Sequence, residues 1–192
     1  DPSKLIYPSL SGGHNWHPMS YSPDTGLVYI PAKESSSAFK LDLNPDKYKT
    51  AGYGLDYDTG LLFGTPDELT AEQRDGIYTA VAQAQLIAWD PIKNAEIWRK
   101  QQGAYSGSGI LTTKGNLIFQ GNLEGKFYAL AADTGNELWS QDVQGGVMGS
   151  PISYELDGEQ YVAIVQGWGG ESGLSYGAVT AHLDLINVSR LL

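Results

Sequence analysis

The sequence predicts an all-β chain, an incomplete β-propeller of about three four-stranded blades with one inserted loop and short helix. Three observations lead there: a hairpin that recurs 41 residues further on, pairs of short apolar strands after each copy, and a composition made for turns and aromatic packing. Among 192 residues there are 24 Gly, 12 Tyr and 5 Trp, with only 18% charged residues, which is poor in helix formers and rich in strand and turn formers.

The recurring hairpin is Leu86-Ile87-Ala88-Trp89-Asp90-Pro91-Ile92-Lys93-Asn94-Ala95-Glu96-Ile97-Trp98, which aligns without a gap with Phe127-Tyr128-Ala129-Leu130-Ala131-Ala132-Asp133-Thr134-Gly135-Asn136-Glu137-Leu138-Trp139. Each copy reads as a strand, a polar turn and a second strand opening on Glu-(Ile/Leu)-Trp. After the first copy, Gly109–Thr113 turns at Lys114-Gly115-Asn116 into Leu117–Gly121; after the second, Ser150–Tyr154 turns through 155–160 into Tyr161–Gly167. A third inner pair stands near the start, Met19–Ser22 turning at Pro23-Asp24-Thr25-Gly26 into Leu27–Pro31. Four strands in a period of roughly 40 residues define a propeller blade.

Between the first inner pair and Gln85 the pattern breaks into an insertion of about 33–85, where Thr65-Pro66-Asp67-Glu68 and Thr70-Ala71-Glu72-Gln73 read as helix starts. Such inserts lie on one face of a repeat fold, where function collects. Three blades cannot close a ring, and Val188–Leu192 reads as the opening of an edge strand, so residues 1–192 are expected to be part of one longer propeller domain, excised or processed.

The net charge of -10 opposes binding to nucleic acid or anionic lipid, and neither end carries an apolar run long enough to span a bilayer. The absence of Cys removes disulfides, thiolate metal sites, cysteine nucleophiles and Cys-x-x-Cys-His haem attachment within these residues.

Several motifs carry bland readings. Trp98 and Trp139 occupy equal repeat positions and suit the flat gap between blades. Asp-Thr-Gly occurs at 24–26, 58–60 and 133–135, yet two copies sit where hairpins turn, so they supply turn geometry and not an aspartic-protease dyad. Asp42-Leu43-Asn44-Pro45-Asp46 alternates like a calcium loop, but Lys47 stands where Gly is needed and Tyr53 where the bidentate Glu would be. His14 and His17 lack a neighbouring carboxylate at ligand spacing, so exposed or hydrogen-bonded imidazoles are the expectation there.

The stretch Gly12-Gly13-His14-Asn15-Trp16-His17-Pro18-Met19 is of another kind. It leads into an innermost strand, at one mouth of the propeller axis, where ligands bind. An amide beside an indole suits a planar ligand rich in carbonyls, and equally a blade-packing Trp beside a turn Asn.

This block, with Tyr21-Ser22-Pro23-Asp24-Thr25-Gly26-Leu27-Val28-Tyr29-Ile30-Pro31-Ala32, Leu86–Pro91, Gly115–Gly121, Asp157–Ala163 and Gly167-Trp168-Gly169-Gly170, resembles the pyrroloquinoline-quinone-dependent alcohol dehydrogenases in order and spacing. His14-Asn15-Trp16-His17 and Gly173-Leu174 resemble the quinohaemoprotein branch, whose members carry a cytochrome c domain after the propeller. The resemblance implies the C-terminal part of an eight-bladed quinoprotein propeller. It implies an enzyme that oxidises primary alcohols to aldehydes with pyrroloquinoline quinone and passes electrons to a cytochrome c-type acceptor in the periplasm. It further implies Asn15 and Trp16 as cofactor contacts, Gln166 to Gly170 as lining of the same mouth, and Ca²⁺ or a lanthanide held by residues outside the chain. Haem c would reside in a separate domain. No catalytic or metal-ligating residue is assigned within 1–192, so the piece alone is expected to be inactive. The insertion matches the family only in placement, and Gly103-Ala104-Tyr105-Ser106-Gly107-Ser108 replaces the family's aromatic-Asn-Gly-Gly link. The rival reading is a non-catalytic propeller with the same Trp hairpins, serving as an envelope protein-binding platform.

Overall fold

The computed structural model describes residues 4–9, 12–34, 37–39, 70, 72, 83–103, 107–167 and 188–192. Strand β1 (Lys4–Ile6) precedes the first blade, which opens with β2 (Ser20–Ser22) and β3 (Leu27–Glu34). Beyond β4 (Ser37–Phe39), which pairs with β1, the blade resumes with β5 (Gln83–Asp90) and β6 (Ala95–Gln101). The second blade is β7 (Leu111–Thr113), β8 (Leu117–Gly121), β9 (Lys126–Ala131) and β10 (Glu137–Asp142). Beyond it β11 (Ile152–Leu156) and β12 (Glu159–Ala163) form a two-stranded sheet, and past Ile164 β13 (Val165–Gln166) pairs with β14 (Arg190–Leu191) in another. The two complete blades run β2-β3-β5-β6 and β7-β8-β9-β10 in space, each pair antiparallel. The expected edge strand at 188–192 is present as β14.

Two expectations shift in detail. The strands on either side of the insertion are longer than the sequence suggests, since β3 runs to Glu34 and β5 starts at Gln83. The β11–β12 hairpin is tighter than a 155–160 turn: Leu156 pairs Glu159, leaving Asp157 (φ 53°) and Gly158 (φ 82°) as a two-residue loop. Two successive positive φ values are what a two-residue hairpin of matching twist requires. Within the insertion Glu72 has helical backbone; the rest of the expected helix, and the calcium-like segment at 42–53, lie outside the described residues.

Period-two alternation then builds the cores between blades. Ile118, Tyr128 and Leu130 of the second blade face the first, joining Leu27, Tyr29, Leu86 and Ala88 with Trp98 against them. On the opposite side, Phe127 joins Val143, Val147 and Ile164, with Phe119 and Val162 against that group, toward β12. The central strand of the second blade is therefore buried on both faces, which explains its continuous apolar run.

Trp98 reaches across to the next blade. Its Nε1 donates to the Ala132 carbonyl (3.1 Å), which also accepts from the Tyr29 hydroxyl (2.9 Å). The ring lies over Gly135, where an added Cβ would come within 2.7 Å of Trp98 Cε3 and where φ is +72°. Glycine is thus required twice over at one turn, for its conformation and for the approach of the indole. Trp139 packs edge-on against Phe127, on the side where Phe127 meets Val147 and Ile164.

Replacing Trp98 with Ala should lower stability by about 3 kcal/mol, at the lower end for a large aromatic because the ring is only partly buried. Trp98→Phe should cost about 1 kcal/mol, chiefly the bond to Ala132. Denaturant unfolding of the full-length protein measures both; equal costs for the two changes would refute this account of the contact.

Candidate functional site at the axial mouth

Inner strands β2 and β7 lie side by side. Thr112 Oγ1 donates to the Tyr21 carbonyl (3.3 Å), leaving Ser20 Oγ to donate to Thr112 Oγ1 (2.7 Å). Because neighbours are antiparallel, the starts of β2, β5 and β7 and the ends of β3, β6 and β8 share one end of the arc. The 12–19 loop and the 122–125 turn lie at that end, where β3 and β6 also finish. Residues 168–170, expected at the same mouth, lie outside the described residues.

The 12–19 loop is strapped down at three points. Lys33 N donates to the Gly13 carbonyl (2.8 Å), His14 Nδ1 bonds the Pro31 carbonyl (2.7 Å), and Ile110 N donates to the Pro18 carbonyl (3.1 Å). Pro31 is tolerated inside β3 because β2 pairs only as far as Tyr29, so the N–H that proline lacks would have met no strand there. Gly12, with φ +72°, makes the turn that brings the loop back, its N–H bonded to the Ser9 carbonyl (2.8 Å).

Between these straps stand Asn15 and Trp16, both exposed, the indole at 57%. His17, the next residue, is buried at 7% exposure, and its ring stacks on Trp16 with centroids 4.1 Å apart and planes 22° from parallel. Burial foremost, then the charge of Lys33 and the neighbouring His14, pull the His17 pKa down to about 4. The imidazole is therefore neutral near pH 7. Exposed or hydrogen-bonded imidazoles were expected from the sequence; His14 is both, whereas His17 is a buried stacking partner.

A second polar group underlies the mouth at the seam between the first two blades. Gln102 Nε2 donates to Gln120 Oε1 (2.6 Å) and to the Tyr128 hydroxyl (2.5 Å), while Gln120 Nε2 donates to the Ser108 carbonyl (3.0 Å). Ser108 Oγ accepts the Gly121 N–H (2.9 Å). Burial pushes the Tyr128 hydroxyl far above its ordinary range, so it remains a protonated donor, to Gln120 Oε1 (3.3 Å). These bonds hold Gln102 and Ser108 against the end of β8, and the only sequence signal for them was Gln before Gly in both 120–121 and 166–167. Gln166 is buried too, and its Nε2 donates to the Val188 carbonyl (3.2 Å).

The remaining motifs follow their bland readings where they are described. Asp24-Thr25-Gly26 forms the β2–β3 turn, with Thr25 Oγ1 bonded to the Tyr29 hydroxyl (2.7 Å), and Asp133-Thr134-Gly135 forms the β9–β10 turn. The 58–60 copy lies outside the described residues. Among the described residues no group of three or more His, Asp or Glu gathers as a metal site, and no helix is long and apolar enough to cross a membrane.

Four-stranded blades joined by a Trp-docked seam form an arc of a β-propeller, with Asn15 and Trp16 exposed at one end of it. The signature of the PQQ-binding glucose/ethanol/alcohol dehydrogenase β-propeller domain matches residues 90–162. Over 190 residues the chain is 40% identical to the quinohemoprotein alcohol dehydrogenase ADH-IIG of Pseudomonas putida, covering 98% of this chain and 26% of that one. It is 39% identical over 173 residues to the 1-butanol dehydrogenase (cytochrome c) of Thauera butanivorans, covering 88% of this chain and 24% of that one. The solved structure of quinohemoprotein alcohol dehydrogenase ADHIIG from Pseudomonas putida HK5 superimposes with a TM-score of 0.81 at 35% identity, covering all of this chain and 27% of that one. Nearly the whole chain is thus similar to quinohemoprotein alcohol dehydrogenases, and it spans about a quarter of the length of these relatives.

The depressed His17 pKa ties stability to pH. The neutral imidazole is favoured in the folded state, so its contribution is complete above the ordinary value of 6.5 and is lost as pH falls toward about 4. Melting temperature should therefore begin to fall below pH 6.5, before the carboxylates titrate, and His17→Phe should flatten that first part of the profile. An unchanged profile in the variant would contradict the buried, neutral imidazole.

Proposed function

We propose that residues 1–192 form part of the cofactor mouth of an enzyme that oxidises primary alcohols to aldehydes and hands the electrons to a cytochrome c-type acceptor in the periplasm. The carrying observation is the Asn15–Trp16 pair, exposed on a loop tied to β3 and β7 at the axial end of the arc. The alcohol dehydrogenase relatives support the substrate class, and the cytochrome c in the name of the butanol-oxidising relative supports the acceptor.

Pyrroloquinoline quinone, when bound, supplies the two-electron acceptor for the alcohol. The residues fit it. The Trp16 indole offers a flat apolar surface, and the Asn15 amide can donate to a carbonyl on a planar ring. Loop straps hold both groups in place before the ligand arrives, which reduces the ordering cost of binding. A metal, Ca²⁺ or a lanthanide, is assigned to residues outside this chain, as is any haem c.

Asn15→Ala in the full-length protein should weaken quinone retention by about tenfold, the loss of one well-placed hydrogen bond. Dialysis against quinone-free buffer followed by absorbance of the retained cofactor measures it. Unchanged retention would remove Asn15 from the site, and absence of quinone-dependent alcohol oxidation in the full-length protein, supplied with Ca²⁺ and an artificial acceptor, would overturn the reading as a whole.

A further inference from the structure

In an extended chain, consecutive side chains point to opposite sides, so Trp16 and His17 would never meet. Here the chain bends at both residues, and the rings lie face to face, 4.1 Å apart and 22° from parallel. One member of the pair is buried and the other is open to the mouth. The loop that carries both is tied on either side of them, by the Lys33–Gly13 bond on the β3 side and by the Ile110–Pro18 bond immediately after His17 in the chain. The stack therefore seats an exposed ring on a buried one. An exposed Trp without such a seat would sample several rotamers, each presenting its face differently.

We propose that His17 is the positioning residue of the mouth: its buried ring sets the plane of the Trp16 indole and so presents that indole flat to a planar, carbonyl-rich ligand. The inference rests on the reading of Asn15 and Trp16 as quinone contacts. His17 itself does not touch the ligand. Its uncharged state matters because a neutral imidazole stacks as an aromatic plate. A protonated one would draw water into the stack and face the charge of Lys33 on β3 and the second imidazole, His14, on its own loop.

The test is a double-mutant cycle on pyrroloquinoline quinone affinity in the full-length protein, read by thermal shift and by cofactor retention with no alcohol present. His17→Ala should weaken affinity about tenfold, as expected when a contact side chain must be ordered on binding. His17→Phe, which keeps a stacking ring, should restore affinity to within about twofold. In a Trp16→Ala background His17→Ala should cause no further loss. Equal losses with and without Trp16, or no loss in His17→Ala, would overturn the positioning role while leaving the site intact. Full retention in both Asn15→Ala and Trp16→Ala would instead sink the site reading itself, and the positioning role with it.

A measurement on the unsubstituted residue covers the case in which His17→Ala fails to fold. The Trp16 emission, obtained as the difference between the native protein and Trp16→Phe, should titrate with a midpoint near pH 4 as the stacked imidazole charges. A Trp16 signal that stays flat while the His17 ring itself titrates, followed by NMR over the same pH range, would show that the rings are not stacked and would overturn the proposal.

Discussion

The Ala132 carbonyl sits at the junction of two blades and accepts two hydrogen bonds from the same neighbour, one from the Trp98 indole and one from the Tyr29 hydroxyl. Everything at the mouth depends on this seam. A blade is a sheet with two apolar faces, and neither can be left in water, so its position is set by the neighbour that covers it. Apolar packing alone would let the sheets slide, because it has no direction. The two donors converging on one oxygen, with Gly135 clearing space for the indole, give the seam a register. With the seam fixed, β2 and β7 lie beside each other, and Pro18 and Ile110, just ahead of them, are bonded at one end of the arc.

At the mouth end the seam changes character. Leu27, Tyr29, Ile118 and Leu130 give way to Gln102, Gln120, Tyr128 and Ser108, each amide bonded across the gap between strands and link. A buried polar group of this kind is costly unless its partners are in place, and so it favours a single arrangement of the 102–110 link. Close approach adds to this. A Cβ on Gly107 would overlap the Gly121 carbonyl, so the chain at Gly107 can lie this close to the end of β8 only as glycine.

Much of this was legible in the sequence because repetition is a strong signal. The 41-residue recurrence located both complete hairpins, and Asn94 and Gly135, one repeat apart, both adopt positive φ, as the shared turn demands. Trp98 was placed correctly between blades by the same alignment. The Trp16–His17 stack was not legible, since neighbours in sequence are expected to diverge and only the bends at both residues bring the rings together. The Gln102–Gln120–Tyr128 group was hidden for a different reason: its members come from three separate stretches of chain whose proximity is a product of blade packing.

One comparison between the blades bears on how such a molecule can change. In the second blade the step from β8 to β9 is closed by Asn122–Gly125, whereas in the first the corresponding step from β3 to β5 spans everything from Ser35 to Ala82. Both steps begin and end on strands whose pairing continues undisturbed up to the gap. The scaffold thus tolerates a tight bend or dozens of residues at the same joint without alteration to the sheets. Loop-closure entropy grows only slowly with length, which makes this tolerance cheap. The rim facing incoming molecules can therefore be rewritten, lengthened or pruned over evolutionary time while the shaft behind it stays the same.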